Sequence, residues 1–142
     1  MKSKNRGVGD IGEEIACGYL VENGYKIIGR NVMERFGEID IIAKSPDKTL
    51  VFIEVKTIKS PASGQQKSPA SYPQKSGNVA GLMEGLDPED NMTRAKIAKF
   101  KRTAQWYANK NEDLASNGYR LDVVAINING DMYLARHYKN IV

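Results

Sequence analysis

The run from Gly37 to Thr57, GEIDIIAKSPDKTLVFIEVKT, constrains the fold more than any other stretch of the chain. Two segments rich in Ile, Val, Leu and Phe flank Ser45-Pro46-Asp47-Lys48, the pattern of a β-hairpin with a longer loop. Side chains alternate across a strand. Glu38, Asp40 and Ile42 are therefore expected on one side of the first strand, and Phe52, Glu54 and Lys56 on one side of the second. Asp40, Glu54 and Lys56 can then converge. A strand this apolar offers no packing reason for a central Asp, and an unpaired ionised group in apolar surroundings is costly. The pattern points to a metal or a reaction.

At 142 residues, 41% hydrophobic and 27% charged, the chain is sized for one domain, 1–142, with a single core. A net charge of +4 permits a polyanionic partner without demanding one. Cys17, the sole cysteine, excludes an internal disulfide and a cysteine-based zinc cluster. The charged N-terminus MKSKNRGVGD lacks the apolar run of a secretory signal, and no segment is long and apolar enough to cross a bilayer. The expectation is a cytoplasmic protein with no membrane partner.

Ile11, Ile15 and Tyr19, with Ala16 and Leu20 beside them, give Asp10 to Asn23 the stripe of an amphipathic helix, with Asp10 as N-cap and Gly24 as stop. Glu13 and Glu14 in its first turn complement the helix dipole. Tyr25 to Asn31 reads as a short strand. From Ile58 to Asp90 the chain holds most of its prolines, shows no hydrophobic period and twice repeats KSPAS, at Lys59 to Ser63 and Lys67 to Ser71. It reads as a flexible loop. Helical spacing returns over Asn91 to Asn109, capped by Asn91 or Thr93. There Arg94, Lys96, Lys99, Lys101 and Arg102 make a cationic face, either a solvated surface or a set of phosphate contacts. Tyr119 to Ile128 and Met132 to Tyr138 are two further strands joined through Asn129-Gly130. Asp122 is expected in a salt bridge, His137 in ordinary surface or sheet packing, and Trp106-Tyr107 in the core rather than in a base-stacking platform.

Two carboxylates on adjacent strands suit a hard cation such as Mg²⁺ or Mn²⁺, which keeps several waters and takes further oxygens from phosphate. Lys56, on the side of Glu54, can orient a water or neutralise charge on a phosphoryl group. Metal, water and ammonium together make a phosphodiester hydrolase site. No HExxH, Walker A or GxGxxG pattern offers a competing chemistry.

Asp40 followed fourteen positions later by Glu54-Val55-Lys56 resembles the PD-(D/E)xK signature of restriction-endonuclease-like nucleases. More narrowly, the chain resembles the YraN family of small bacterial proteins within that superfamily. The matching stretches are Gly9 to Glu14 with Ala16 and Leu20, Gly24-Tyr25, Arg30-Asn31, Gly37 to Asp40, Val51 to Thr57, and Arg120 to Val124. The resemblance implies an α/β fold with a mixed central sheet of about five strands flanked by helices. It implies that Asp40 and Glu54 are metal ligands, the Val55 carbonyl a further one and Lys56 the catalytic lysine. Glu13 resembles an extra helical carboxylate that joins the metal shell in the Holliday-junction-resolvase branch. Glu38 stands where the superfamily usually has proline and is given no direct metal contact. Arg120-Leu121-Asp122 replaces the family's usual Arg-Phe-Asp, and the loop after Thr57 is longer than the family leads one to expect.

The expected function is Mg²⁺-dependent hydrolysis of DNA, branched or damaged DNA among the substrates, with α-helical and loop cations on the phosphates. A homodimer would suit cutting two strands. The alternatives are a non-catalytic nucleic-acid-binding module with the same fold and a scaffold that binds proteins through the Pro/Ser loop.

Overall fold

The computed structural model describes residues 8–59 and 93–141; Ile58 and Lys59, expected to open the loop, instead close a strand, and the rest of the expected loop, with the second KSPAS copy and all of the first but Lys59, lies outside the described residues. The elements are helix α1 (Val8–Glu22), strands β1 (Lys26–Glu34), β2 (Gly37–Lys44) and β3 (Leu50–Lys59), helix α2 (Arg94–Lys110), and strands β4 (Tyr119–Asn129) and β5 (Met132–Tyr138). The sheet order follows the chain, β1-β2-β3-β4-β5. All neighbours are antiparallel except β3 and β4, which run parallel from Leu50 opposite Tyr119 to Lys59 opposite Ile128. A parallel pair needs a crossover, and α2 lies within it.

The helices cover opposite faces of the sheet. Ala16 and Leu20 of α1 pack with Ile41, Ala43, Val51, Ile53, Val124 and Ile126, whereas Phe100, Ala104 and Ala108 of α2 pack with Ile39, Ile42, Leu50, Phe52 and Val123. Phe52 is fully buried, with the edges of Tyr107 and Tyr119 at centroid distances of 5.6 Å each. Burying a side chain of this size stabilises by about 1.5–3 kcal/mol. The architecture is the mixed five-stranded sheet between helices expected from the sequence.

Local chemistry sets the ends. α2 starts at Thr93, whose hydroxyl accepts from Lys96 N at 3.2 Å, and ends where Asn111 Nδ2 donates to Tyr107 O at 2.9 Å. α1 begins at Val8, so Asp10 sits inside its first turn rather than capping it; carboxylates are favoured there by the dipole. At its other end Gly24 takes φ +86°, a left-handed conformation that stops the helix, and Tyr25 N returns to Leu20 O. β1 runs three residues beyond the expected Asn31, because Val32, Met33 and Glu34 pair with Ile39, Glu38 and Gly37.

The simple alternation expected of β2 fails at Asp40. Ile39 and Ile42 belong to the layer under α2, but Ile41 and Ala43 belong to the layer under α1. On the neighbouring strand, Asn31 has φ +50°, a left-handed step that Asn tolerates. Val32 accordingly packs toward α2, while Arg30 reaches Glu13 of α1. The β1–β2 pair thus turns over at this point, and Asp40 sits on the turnover.

Candidate active site

The β2–β3 ladder ends at the pair Ile41–Ile53. Beyond it the strands part, and the Asp40 carboxylate fills the gap: Oδ2 accepts from Val55 N at 2.9 Å. A side chain thus supplies the acceptor that the ladder no longer provides to a strand N–H. Asp40 therefore points across the sheet toward β3 rather than simply up from β2.

On β3, Glu54 and Lys56 share the α2 side with Phe52 and Ile58, and Lys56 Nζ lies 3.8 Å from Glu54 Oε2. Burial, then the Glu54 carboxylate, push the Asp40 pKa up to about 7; the Val55 N–H opposes this, and Glu13 and Glu38 add to it. Burial also raises Glu54, against the pull of the Lys56 and Lys96 ammonium groups. A carboxyl raised by burial and by a neighbouring acid is a group that nearby positive charge would stabilise in its ionised form.

Glu13 approaches from α1. A Cβ on Gly12 would lie 1.9 Å from Thr57 Oγ1, so only glycine lets the first turn of α1 rest on the end of β3. Glu13 Oε1 is buried without a hydrogen-bond partner, with Arg30 Nη2 at the outer limit of an ion pair, 3.9 Å away. An orphaned buried oxygen beside two acids fits a site that receives a cation.

An open cleft of about 170 Å³ is lined by Gly37, Glu38, Glu54, Lys56, Lys96, Lys99, Phe100 and Thr103. Of the five cations singled out in α2, Lys96 and Lys99 reach this cleft. Arg102 lies over the Phe36 ring instead, and Arg94 and Lys101 are exposed and line neither. Among the described residues no three His, Cys, Asp or Glu side chains converge as a ready-made metal cage. Mg²⁺ seldom uses one: one or two carboxylates, waters and substrate phosphate commonly suffice, and the donors here fit that set.

The second polar cluster is of another kind. Asp122 is fully buried and accepts from Arg120 Nε at 3.0 Å, His137 Nε2 at 2.7 Å and Asn140 N at 2.9 Å. The guanidinium of Arg120 continues to the Tyr25 hydroxyl. Asp122 thus has the expected salt bridge. Of the two places expected for His137, the sheet and not the surface is the one found: on β5 it is 2% exposed, with Tyr19 and Tyr25 rings each 5.7 Å away. Asp122 and His137 stand on the two strands of the β4–β5 hairpin, and the pairing of those strands brings them together. Trp106 also departs from expectation. Tyr107 packs on the core beside Phe52, but Trp106 joins neither core layer.

Fold and site together define an α/β protein whose five-stranded mixed sheet between two helices is compatible with a restriction-endonuclease-like fold, with acids and a lysine gathered where two strands part. The chain belongs to the family described as Uncharacterised protein family UPF0102, which residues 12–126 match and which is the YraN-like family its motifs resemble. It is 36% identical to a UPF0102 protein of Clostridium tetani over 142 residues, 99% of this chain and 97% of the relative. It is 37% identical to one from Caldicellulosiruptor bescii over 123 residues, 87% and 84% of the two chains. With one from Desulforamulus reducens it shares 30% identity over 142 residues, 99% and 98% of the two. No described helix is long and apolar enough to cross a membrane.

Proposed function

We propose that the protein is a metal-dependent endonuclease that hydrolyses phosphodiester bonds in DNA. The observation that carries this reading is the interrupted β2–β3 ladder, where Asp40 accepts from Val55 N next to Glu54, whose side chain lines a cleft together with Lys56, Lys96 and Lys99. Asp40 and Glu54, with the Val55 carbonyl and Glu13, would hold Mg²⁺ or Mn²⁺. When bound, such an ion lowers the pKa of a water and neutralises charge on the phosphate. Lys56, 12% exposed and held near Glu54, orients the attacking water and balances charge developing on the phosphoryl oxygens. Lys96 and Lys99 position the backbone without reading its sequence. Asp40 and Glu54 alone would repel a phosphate, so their place opposite these lysines favours a site that works with a cation.

A second reading, a nucleic-acid-binding module without hydrolysis, draws on the lack of three convergent ligand side chains among the described residues. One assay separates the two: linear, flapped and four-way DNA incubated with Mg²⁺ or Mn²⁺. Cleavage is expected, and Asp40→Ala and Lys56→Ala each lower it by at least about 100-fold, within the range for losing a positioned catalytic group. Cleavage unchanged in both variants would mark the activity as a contaminant's. Binding that survives chelation with no cutting of any substrate would favour the module.

A further inference from the structure

One stripe of α2 runs beyond the cleft. Lys96, Lys99, Thr103, Trp106 and Lys110 recur at three- and four-residue steps and so share a face. The first three line the cleft. Trp106 follows about 15 Å further along the axis than Lys96, at 1.5 Å per residue. There the turn between β1 and β2 brings Phe36 against it, ring edge to ring face, with centroids 5.7 Å apart and an angle of 88°.

The flat faces of this pair carry cations. Arg35 Cζ lies 5.3 Å from the Trp106 centroid and 5.5 Å from that of Phe36, Arg102 Cζ lies 5.5 Å from Phe36, and Lys110 Nζ lies 6.0 Å from Trp106. Lys110 is tied to Glu34 at 2.8 Å. Arg35 and Arg102 are exposed, and among the described residues neither has a carboxylate within ion-pair range. Among the described residues only the rings hold their guanidinium groups, so a flat ligand can displace them from the ring faces and the freed cations can turn to its phosphates.

We propose that Phe36 and Trp106 form a stacking platform for an unpaired base of a DNA strand whose backbone follows the lysines of α2 out of the cleft. The inference rests on the nuclease reading for its polyanion, and adds that the preferred substrate has a single-stranded portion a few nucleotides from the scissile bond. Aromatic side chains interleaved with cations along a groove are the general means of holding single strands, because every base has a face to stack and every link a charge. A paired base has its faces covered by its neighbours and does not fit the platform without being unstacked.

Trp106 is the chain's only tryptophan, so its emission reports on this platform alone. The experiment titrates the full chain, in chelator and at one fixed salt concentration, with single-stranded oligothymidylate, the same strand paired to its complement, and an abasic strand of equal phosphate number. Oligothymidylate is expected to quench Trp106 and bind most tightly, and the other two to bind more weakly without quenching. Phe36→Leu lowers affinity for oligothymidylate roughly tenfold or more while leaving affinity for the duplex in place. Equal affinity and equal emission for the base-bearing and abasic strands would overturn the platform and leave the nuclease reading standing. A Phe36→Leu loss that is the same for duplex and single strand would also overturn it. Failure of all three to bind in chelator would overturn the platform, while the nuclease reading stands or falls by the cleavage assay with Mg²⁺ or Mn²⁺. The comparison of base-bearing with abasic strand uses the unaltered protein, so it holds even where a variant misfolds.

Discussion

Asp40 and Asp122 are both aspartates set into strands of Ile, Val and Leu, and the fold treats them in opposite ways. For Asp122, burial would raise the pKa, but the hydrogen bonds from His137, Arg120 and Asn140 N outweigh it and hold the carboxyl below its ordinary range. For Asp40, burial and the neighbouring Glu54 outweigh the one N–H of Val55, and the pKa rises to about 7. One aspartate sits among donors, the other among acids. A buried carboxylate with its partners supplied by the chain is part of the structure; one set among like charges is the kind of group that the proposed cation would balance.

The largest expected effect breaks the satisfied side. Asp122→Ala strands the Arg120 guanidinium and His137 in a buried site and should cost about 3–5 kcal/mol of stability, read by urea unfolding. Asp40→Ala should cost far less, and an equal loss would erase the contrast.

The next test is one of pH. Asp40 titrates higher in the folded chain than in the unfolded one, so its contribution is fully present below its ordinary 3.8 and is lost as pH rises through about 7. The slope can reach about 1.4 kcal/mol per pH unit. Asp122, with a lowered pKa, contributes stability above its ordinary value of 3.8 and loses it as pH falls. Asp40→Asn should therefore flatten the decline in stability between pH 3.8 and about 7, as followed by unfolding titrations, and leave the acid limb intact. An unchanged decline would mean that Asp40 is not under the strain described.

The smallest effects sharpen the geometry. Gly12→Ala forces α1 off Thr57 and should cost about 1–3 kcal/mol. Gly18→Ala on the same helix meets nothing within 4 Å and should gain about 0.5–1 kcal/mol. Thermal denaturation of the pair tests whether the tight approach that presents Glu13 is paid for locally; equal effects would show that it is not.

Most elements were legible because their signals are local: the Ser45–Thr49 turn, the stop at Gly24, the Thr93 cap and the Gly130 turn each depend on a few neighbouring residues. The convergence of Glu54 with Lys56 follows from strand alternation and was equally open to reading. The direction of Asp40 was not, because it depends on the left-handed step at Asn31, on the neighbouring strand, and on where the β2–β3 ladder stops, neither of which the residues around Asp40 announce. The burial of His137 and the cation-covered ring pair at Phe36 and Trp106 were hidden for a related reason. Each is made by residues from elements distant in the chain, and neither His137 nor Trp106 sits in a motif that announces its partner.

The bond from Val55 N to Asp40 Oδ2 has one more consequence. With that oxygen accepting from the backbone, an ion held as proposed would meet chiefly Oδ1, as a single tooth rather than a two-oxygen clasp. On the metal-dependent reading proposed above, such a site would discriminate by coordination number, favouring a small, strictly octahedral ion that brings its own waters over a larger one such as Ca²⁺ that gathers seven or eight oxygens.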